Sequence, residues 1–251
     1  MKRLLRHARG ALLPLLLLAA WEYASRQGAS GAYAVVSLAQ VVAGLVEIVG
    51  NGELLTNLLA SLLRTTQGLL FGVLAGTLIG ASMALSAWGE RLVAPLFHSL
   101  RQVPMLAWIP LIALWFGNGE SAKVLIVALA ASYPMALNTF EGLRQVDARH
   151  LEVAQALVLS RRQRFALVLL PSALPSLCTG VLQAIAFAWV TAVGSELFLS
   201  AGPGLGNLMM NAEAGARMEI ILLCVISIAA LGYGMSLLFT CLSRYLLRWR
   251  P

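Results

Sequence analysis

Apolar residues run through this chain in long blocks, each set off by a short polar break. Blocks at residues 57–85, 92–116, 124–138, 172–200 and 219–245 approach or exceed the roughly 20 apolar residues that a membrane-spanning helix needs. An earlier, shorter block covers 11–20 and reaches to about Tyr23, behind a basic start with Lys2, Arg3, Arg6 and Arg9. That start also fits a cleavable leader; because more spans come after it, we expect an uncleaved first helix. Between it and the next span, residues 27–56 are mixed, and 37–49 has helical periodicity. We expect that stretch to lie along the outer membrane face. The second span carries Gly68, Gly72, Gly76 and Gly80 at a spacing of four, a row that lets helices approach closely. Arg64 stands above that row, near enough to the outer end to snorkel. The third span contains Pro95, Pro104 and Pro110, so we expect it to be kinked or interrupted. Residues 88–91 read as a short inner turn, 117–123 as an outer turn, and 201–217 as an outer loop.

The longest polar interruption is 147–171. Asp147 is placed to cap a short helix whose apolar positions, Leu151, Ala154, Leu157 and Val158, form one stripe. Ser160 with Gln163 three residues later reads as a capping box that opens a second helix. Pro171 stands where that helix must bend or end. The pattern predicts a helix-turn-helix hairpin between two spans, and such regularity favours a docking element over a plain connection.

Composition agrees with an all-α polytopic membrane protein of about six helices in a single domain, 1–251. The chain is 59% hydrophobic and only 12% charged, against about a quarter charged in soluble domains. The net charge of +7 raises the question of nucleic acid. The apolar background makes loop asymmetry the better account, and we expect no nucleic-acid partner. With both ends inside, 14 of the 18 Lys and Arg residues fall on the cytoplasmic side and four on the other. The inverted topology would reverse this bias, so both termini are expected inside. Cys178, Cys224 and Cys241 all lie in apolar segments and read as packing residues.

No catalytic constellation is visible. His7, His98 and His150 are scattered without metal-ligand spacing, so no metal site is expected, and no P-loop motif is present to bind ATP. The acidic residues sit near span ends, which argues against a proton relay. A membrane-embedded enzyme and a self-contained carrier are therefore both disfavoured. Glu196 is the most embedded carboxylate; it is either an interface-level acid or a group beside a solute path. Asn138, near the inner end of its span, is the other residue we expect on such a path.

Glu152-Val153-Ala154, then Gln163, Leu170-Pro171 and Pro175, resembles the cytoplasmic loop of binding-protein-dependent ABC importer permeases. That loop starts Glu-Ala-Ala, has Gly six residues after the Glu, and ends in Leu-Pro. Residues 101–147, Glu196, Gly204-Leu205-Gly206 and the tail LLRWRP resemble the sulfonate, taurine and nitrate branch, nearest to the aliphatic sulfonate permeases. The resemblance covers nearly the whole chain from about Ser37. It implies a type I importer fold like that of methionine permeases, and a multi-pass protein of the bacterial inner membrane that is not itself an enzyme. It also implies a second permease copy, two ATPase subunits that hold ATP and Mg, and a solute-binding protein outside, with membrane lipid around the spans. The cargo it implies is an aliphatic sulfonate such as an alkanesulfonate or taurine. Nitrate or a pyrimidine precursor of thiamine stays open as an alternative.

The resemblance also makes residues 144–171 the loop that docks on the ATPase, through Glu152, Val153, Ala154, Val158, Ser160, Arg161, Gln163 and Pro171. One position departs: Val158 stands where the family has Gly. A β-branched residue in a left-handed turn costs about 1–2 kcal/mol. Either the helix runs on to Leu159 and the turn shifts, or Val158 is strained.

Overall fold

A computed structural model describes residues 16, 18–26, 36–199 and 201–248. About half of the expected first span, residues 11–15 and 17, falls outside them. The described residues form helices and no strands. Helix α1 (Leu38–Gly50) opens with Ser37, whose hydroxyl accepts the Gln40 backbone N–H while Gln40 Oε1 accepts the Ser37 N–H. This reciprocal cap starts the helix at the position that periodicity predicts. Among the described residues, four helices are long and apolar enough to cross a membrane: α2 (Glu53–Leu85), α5 (Glu120–Arg144), α7 (Arg161–Phe198) and α9 (Met218–Leu246). The expected third span is a broken pair, α3 (Gly89–Leu100) and α4 (Met105–Phe116), bent by 98°. The break falls at residues 101–104. Pro104 cannot continue the ladder, and it caps α4 in extended conformation.

Helix α5 is the centre, flanked by α2 and α7. Its partnership with α2 comes from the glycine row. Arg64 meets Glu120, 56 residues away, and Gly72, Gly76 and Gly80 meet Ala128, Ser132 and Ala136 at the same separation. A constant separation means that the two helices run parallel and in register. A Cβ on Gly72 or Gly76 would lie 2.5 Å from the carbonyl oxygen of Ala128 or Ser132. Only glycine therefore permits this backbone approach. Small residues likewise fill the three-helix layer where Val127 and Ala131 of α5 meet Ala184, Ala188 and Ala192 of α7. At the far side, α9 joins α7 through Trp189, whose indole N–H donates to the Ile228 carbonyl at 3.0 Å.

Three expectations change. The stretch 201–217 contains a buried helix, α8 (Leu205–Ala214), where a loop was expected. Its Leu205, Leu208 and Ala212 are core residues at helical spacing, and they pack with Ile48, Ile220 and Leu223 or with Trp189 and Val193. The neighbouring glycines mask that stripe in the sequence. The expected turn at 88–91 is the start of α3. Pro171 does not end its helix: α7 continues through it to Phe198, with a π turn at Phe165–Leu169 just before it.

Helix α3 opens with a wide π turn at Gly89–Val93, and α7 carries one at Phe165–Leu169, just after its first turn, Arg161–Arg164. In each, a proline stands two residues past the turn, Pro95 and Pro171. Proline lacks an N–H and its ring crowds the carbonyl four residues back. Widening the turn just ahead relieves that crowding without breaking the helix.

Candidate functional site

The hairpin has the predicted chemistry. Asp147 caps α6 (Ala148–Ala156) by accepting the Arg149 N–H at 2.9 Å, and Ser160 with Gln163 forms a reciprocal capping box at the start of α7. Between them the chain closes a Schellman motif. Leu159 N–H bonds to Ala154 O at 3.1 Å and Val158 N–H to Gln155 O at 2.9 Å. That places Val158 at the left-handed position, with φ of 51°. Of the two alternatives, strain at Val158 is the one observed, and the turn is not shifted.

The stripe divides in an unexpected way. Ala154 is buried at 2% exposure, and Leu151 is half-buried. Leu157 and Val158 face out instead, Val158 at 87% exposure, together with Val153. Around this apolar tip lie exposed Glu152, Arg149, Arg161, Arg162 and Gln163. Beneath it, Val153, Leu157, Leu159, Leu167 and half-buried Pro171 line an open cleft of about 540 Å³. On the same hairpin, the Nε of Arg164 is buried without an acceptor among the described residues. Buried donors are usually paired; Trp108 Nε1 in α4, away from the hairpin, is also buried without an acceptor among the described residues.

The opposite end is closed by ions. Arg64 and Glu196 are 2% and 0% exposed, and they pair directly. Arg64 also donates to both oxygens of Glu120, at 2.8 and 2.7 Å, and to the Pro203 carbonyl at 3.0 Å. The Glu196 carboxylate further accepts from Ser61 Oγ at 2.7 Å and from the Gly206 N–H at 2.8 Å. Lys123, fully buried, donates to the Ala201 carbonyl. Asn57 and Ser61 accept the N–H groups of Gly204 and Leu205, at 2.7 and 2.9 Å. These bonds fasten residues 201–206 onto α2, α5 and α7. Gly204 and Gly206 allow it, because a Cβ on either would lie within 2.7 Å of Glu196 side-chain atoms. Arg64 thus does not snorkel, Lys123 is not a turn residue, and Glu196 is enclosed within the protein. Arg64 and Glu196 are 132 residues apart, and only the fold brings them together.

Outside the spans, Arg217 ties α1 to the start of α9. It donates to both Glu47 oxygens at 2.8 and 2.6 Å, and to Glu219 at 3.0 Å. The hydrogen bonds from Arg217 hold the Glu47 carboxyl below its ordinary range, and those to Glu47 and then Glu219 push Arg217 up.

The third polar feature is on the open face between α5 and α7. Asn138 Nδ2 donates to the Pro134 carbonyl at 2.8 Å and to Gln183 Oε1 at 2.9 Å. Gly180 makes room, since a Cβ there would lie 2.8 Å from Asn138 Cβ. Sequence reasoning passed over Gln183. Its signal is that it is a lone amide deep in an apolar span.

Residues 68–250 match the family model described as binding-protein-dependent transport system inner membrane component. An Escherichia coli (strain K12) protein whose name assigns it to aliphatic sulfonate transport as a permease, SsuC, is 36% identical over 239 residues, covering 95% of this chain and 90% of the relative. Among solved structures, an amino acid ABC transporter chain superposes with a TM-score of 0.64 at 22% identity, over 81% of this chain and 97% of that one. The MetNI methionine ABC transporter, in an inward-facing conformation, gives 0.57 at 20% identity, over 76% and 93%. At those identities the likeness speaks for the fold.

Proposed function

The chain belongs to the family of binding-protein-dependent transport system inner membrane components, and we propose that it is the permease subunit of an ATP-driven importer of aliphatic sulfonates. The observation that carries this reading is the hairpin. A membrane protein with no nucleotide motif of its own presents an apolar tip, Val153, Leu157 and Val158, ringed by Glu152 and arginines. Such a surface suits a soluble partner that brings the ATP chemistry. In this reading two copies of the chain form the path and two ATPase subunits, holding ATP and Mg, dock on the two hairpins. A solute-binding protein delivers cargo at the clamped end. The hairpin end then lies in the cytoplasm, in keeping with the excess of Lys and Arg on that side. The clamp keeps the delivery end rigid, and the π turn of α7 passes hairpin motion into the span. The similarity to the E. coli sulfonate permease, nearly end to end, supports the cargo class.

The test is reconstitution of the permease with its ATPase and binding protein in proteoliposomes. ATP-dependent uptake of an alkanesulfonate is expected, and no uptake by the permease alone. Uptake of nitrate but not of sulfonate would overturn the cargo. Uptake without the ATPase would overturn the importer mechanism.

A further inference from the structure

Resting on that importer reading, we infer that Gln183 is a specificity-determining residue of the path, a neutral amide donor that hands the cargo's oxyanion along the face shared by α5 and α7. The Asn138–Gln183 pair, its anchor on the Pro134 carbonyl and the exposure of Gln183 together carry it.

The chemistry is fixed by one acceptor. A carbonyl oxygen can only accept, so the Asn138 atom facing Pro134 O at 2.8 Å is its NH₂ group. The same nitrogen has a second hydrogen and gives it to Gln183, so the Gln183 atom at 2.9 Å is its oxygen. The Gln183 NH₂ is therefore the end turned away from Asn138, available as a donor. Backbone geometry at Pro134 thereby orients an amide on another helix.

The surroundings suit a path. Gln183 is exposed, as are Thr179 one turn before it and Phe187 one turn after. Residues four apart share a helix face. This face thus shows a hydroxyl, an amide donor and an aromatic ring in a row, in a span that is otherwise apolar. Polar side chains in spans face cavities or protein, since hydrocarbon leaves their hydrogen bonds unmade. No Lys or Arg belongs to the row. A fixed cation would hold a sulfonate firmly, whereas passage needs contacts strong enough to admit an ion and weak enough to release it. A paired, oriented, uncharged donor meets both needs.

The competing role is helix glue: the pair would only join α5 to α7. Gln183→Glu separates the two, because the carboxylate still accepts the Asn138 N–H but offers repulsion where the donor was. The complete complex with ATPase and binding protein is reconstituted, and uptake of ethanesulfonate is measured beside yield of assembled complex. Gln183→Glu is expected to lower uptake about tenfold or more with the complex intact. Gln183→Met, which removes the donor without adding charge, is expected to lower it by a smaller factor. Uptake within twofold of wild type in an assembled Gln183→Glu complex overturns the inference. Loss of assembly in both variants also overturns it, and assigns the pair to helix joining. Wild-type complex that moves no ethanesulfonate under ATP defeats the cargo reading instead, and that result is read before any variant is compared.

Discussion

The two ends of the molecule treat charge in opposite ways. At the clamp, Arg64, Lys123 and Glu196 are buried, and each is bonded to groups from other elements. At the hairpin, Arg149, Arg161 and Arg162 are exposed, an arginine Nε is buried without an acceptor among the described residues, and a valine stands nearly bare at 87% exposure. Charges removed from water must be paired or they destabilise strongly. A charge cluster that is already satisfied is an internal fastener, and one left open beside bare apolar residues is half of an interface. Both ends carry basic residues when read in one dimension. The difference between them is whether the fold supplies the acceptors.

The largest expected effect breaks the fastener. Arg64→Met strands Glu196 in a buried site, and loss of one partner of such a pair costs roughly 3–5 kcal/mol. The thermal unfolding midpoint of the detergent-solubilised permease should fall sharply. In the double variant with Glu196→Met it should recover most of the loss, since apolar replacement of a whole buried pair is often neutral. A wild-type midpoint for Arg64→Met would show that the clamp is not a fastener.

At the other end, Glu152→Ala should leave the unfolding midpoint alone and weaken ATPase association. A desolvated charged contact, once truncated, costs on the order of 2–5 kcal/mol. Titration of ATPase onto solubilised permease measures this, and unchanged affinity would remove Glu152 from the interface. The comparison is sharpest if the two variants exchange phenotypes in neither assay.

The smallest effect is at the hairpin turn. Val158→Gly relieves about 1–2 kcal/mol of left-handed strain and gives back about 0.4–1 kcal/mol through the added freedom of the unfolded chain. The turn should tighten slightly, seen as slower amide hydrogen exchange at position 158 and at Leu159. Faster exchange would mean that this valine is held at no cost.

The sequence made the hairpin legible because its signals are local. Asp147, Ser160 and Gln163 act within three residues, and the departure at Val158 is visible as a missing glycine. The glycine row was legible for a similar reason, since spacing of four puts all its members on one face. What it faced was not, because the match to α5 lies 56 residues on. The clamp stayed hidden because Arg64 and Glu196 each look like an ordinary charge near a span end, and nothing local links them. Helix α8 was missed because glycines at 202, 204 and 206 look like loop chemistry. Those at 204 and 206 let backbone approach the Glu196 side chain. Ala216 teaches the same caution. It takes the left-handed position, with φ of 53°, although Gly215 stands beside it.

The π turn at Phe165–Leu169 has a consequence for how α7 is built. Each residue of an α-helix advances the direction of its side chain by about 100°. A π turn accommodates one additional residue, so it acts as a phase shifter between the hairpin segment and the span. A helical wheel drawn straight from Arg161 to Phe198 would put the hairpin arginines and the Gln183 face in a false angular relation. It also means that the two parts of α7 can be tuned separately. Deleting one residue from the π turn would return the helix to α geometry and leave the hairpin nearly where it is around the span, with every contact of Asn138, Trp189 and Glu196 kept, whereas the same deletion in the α-helical part would swing it by about a quarter turn.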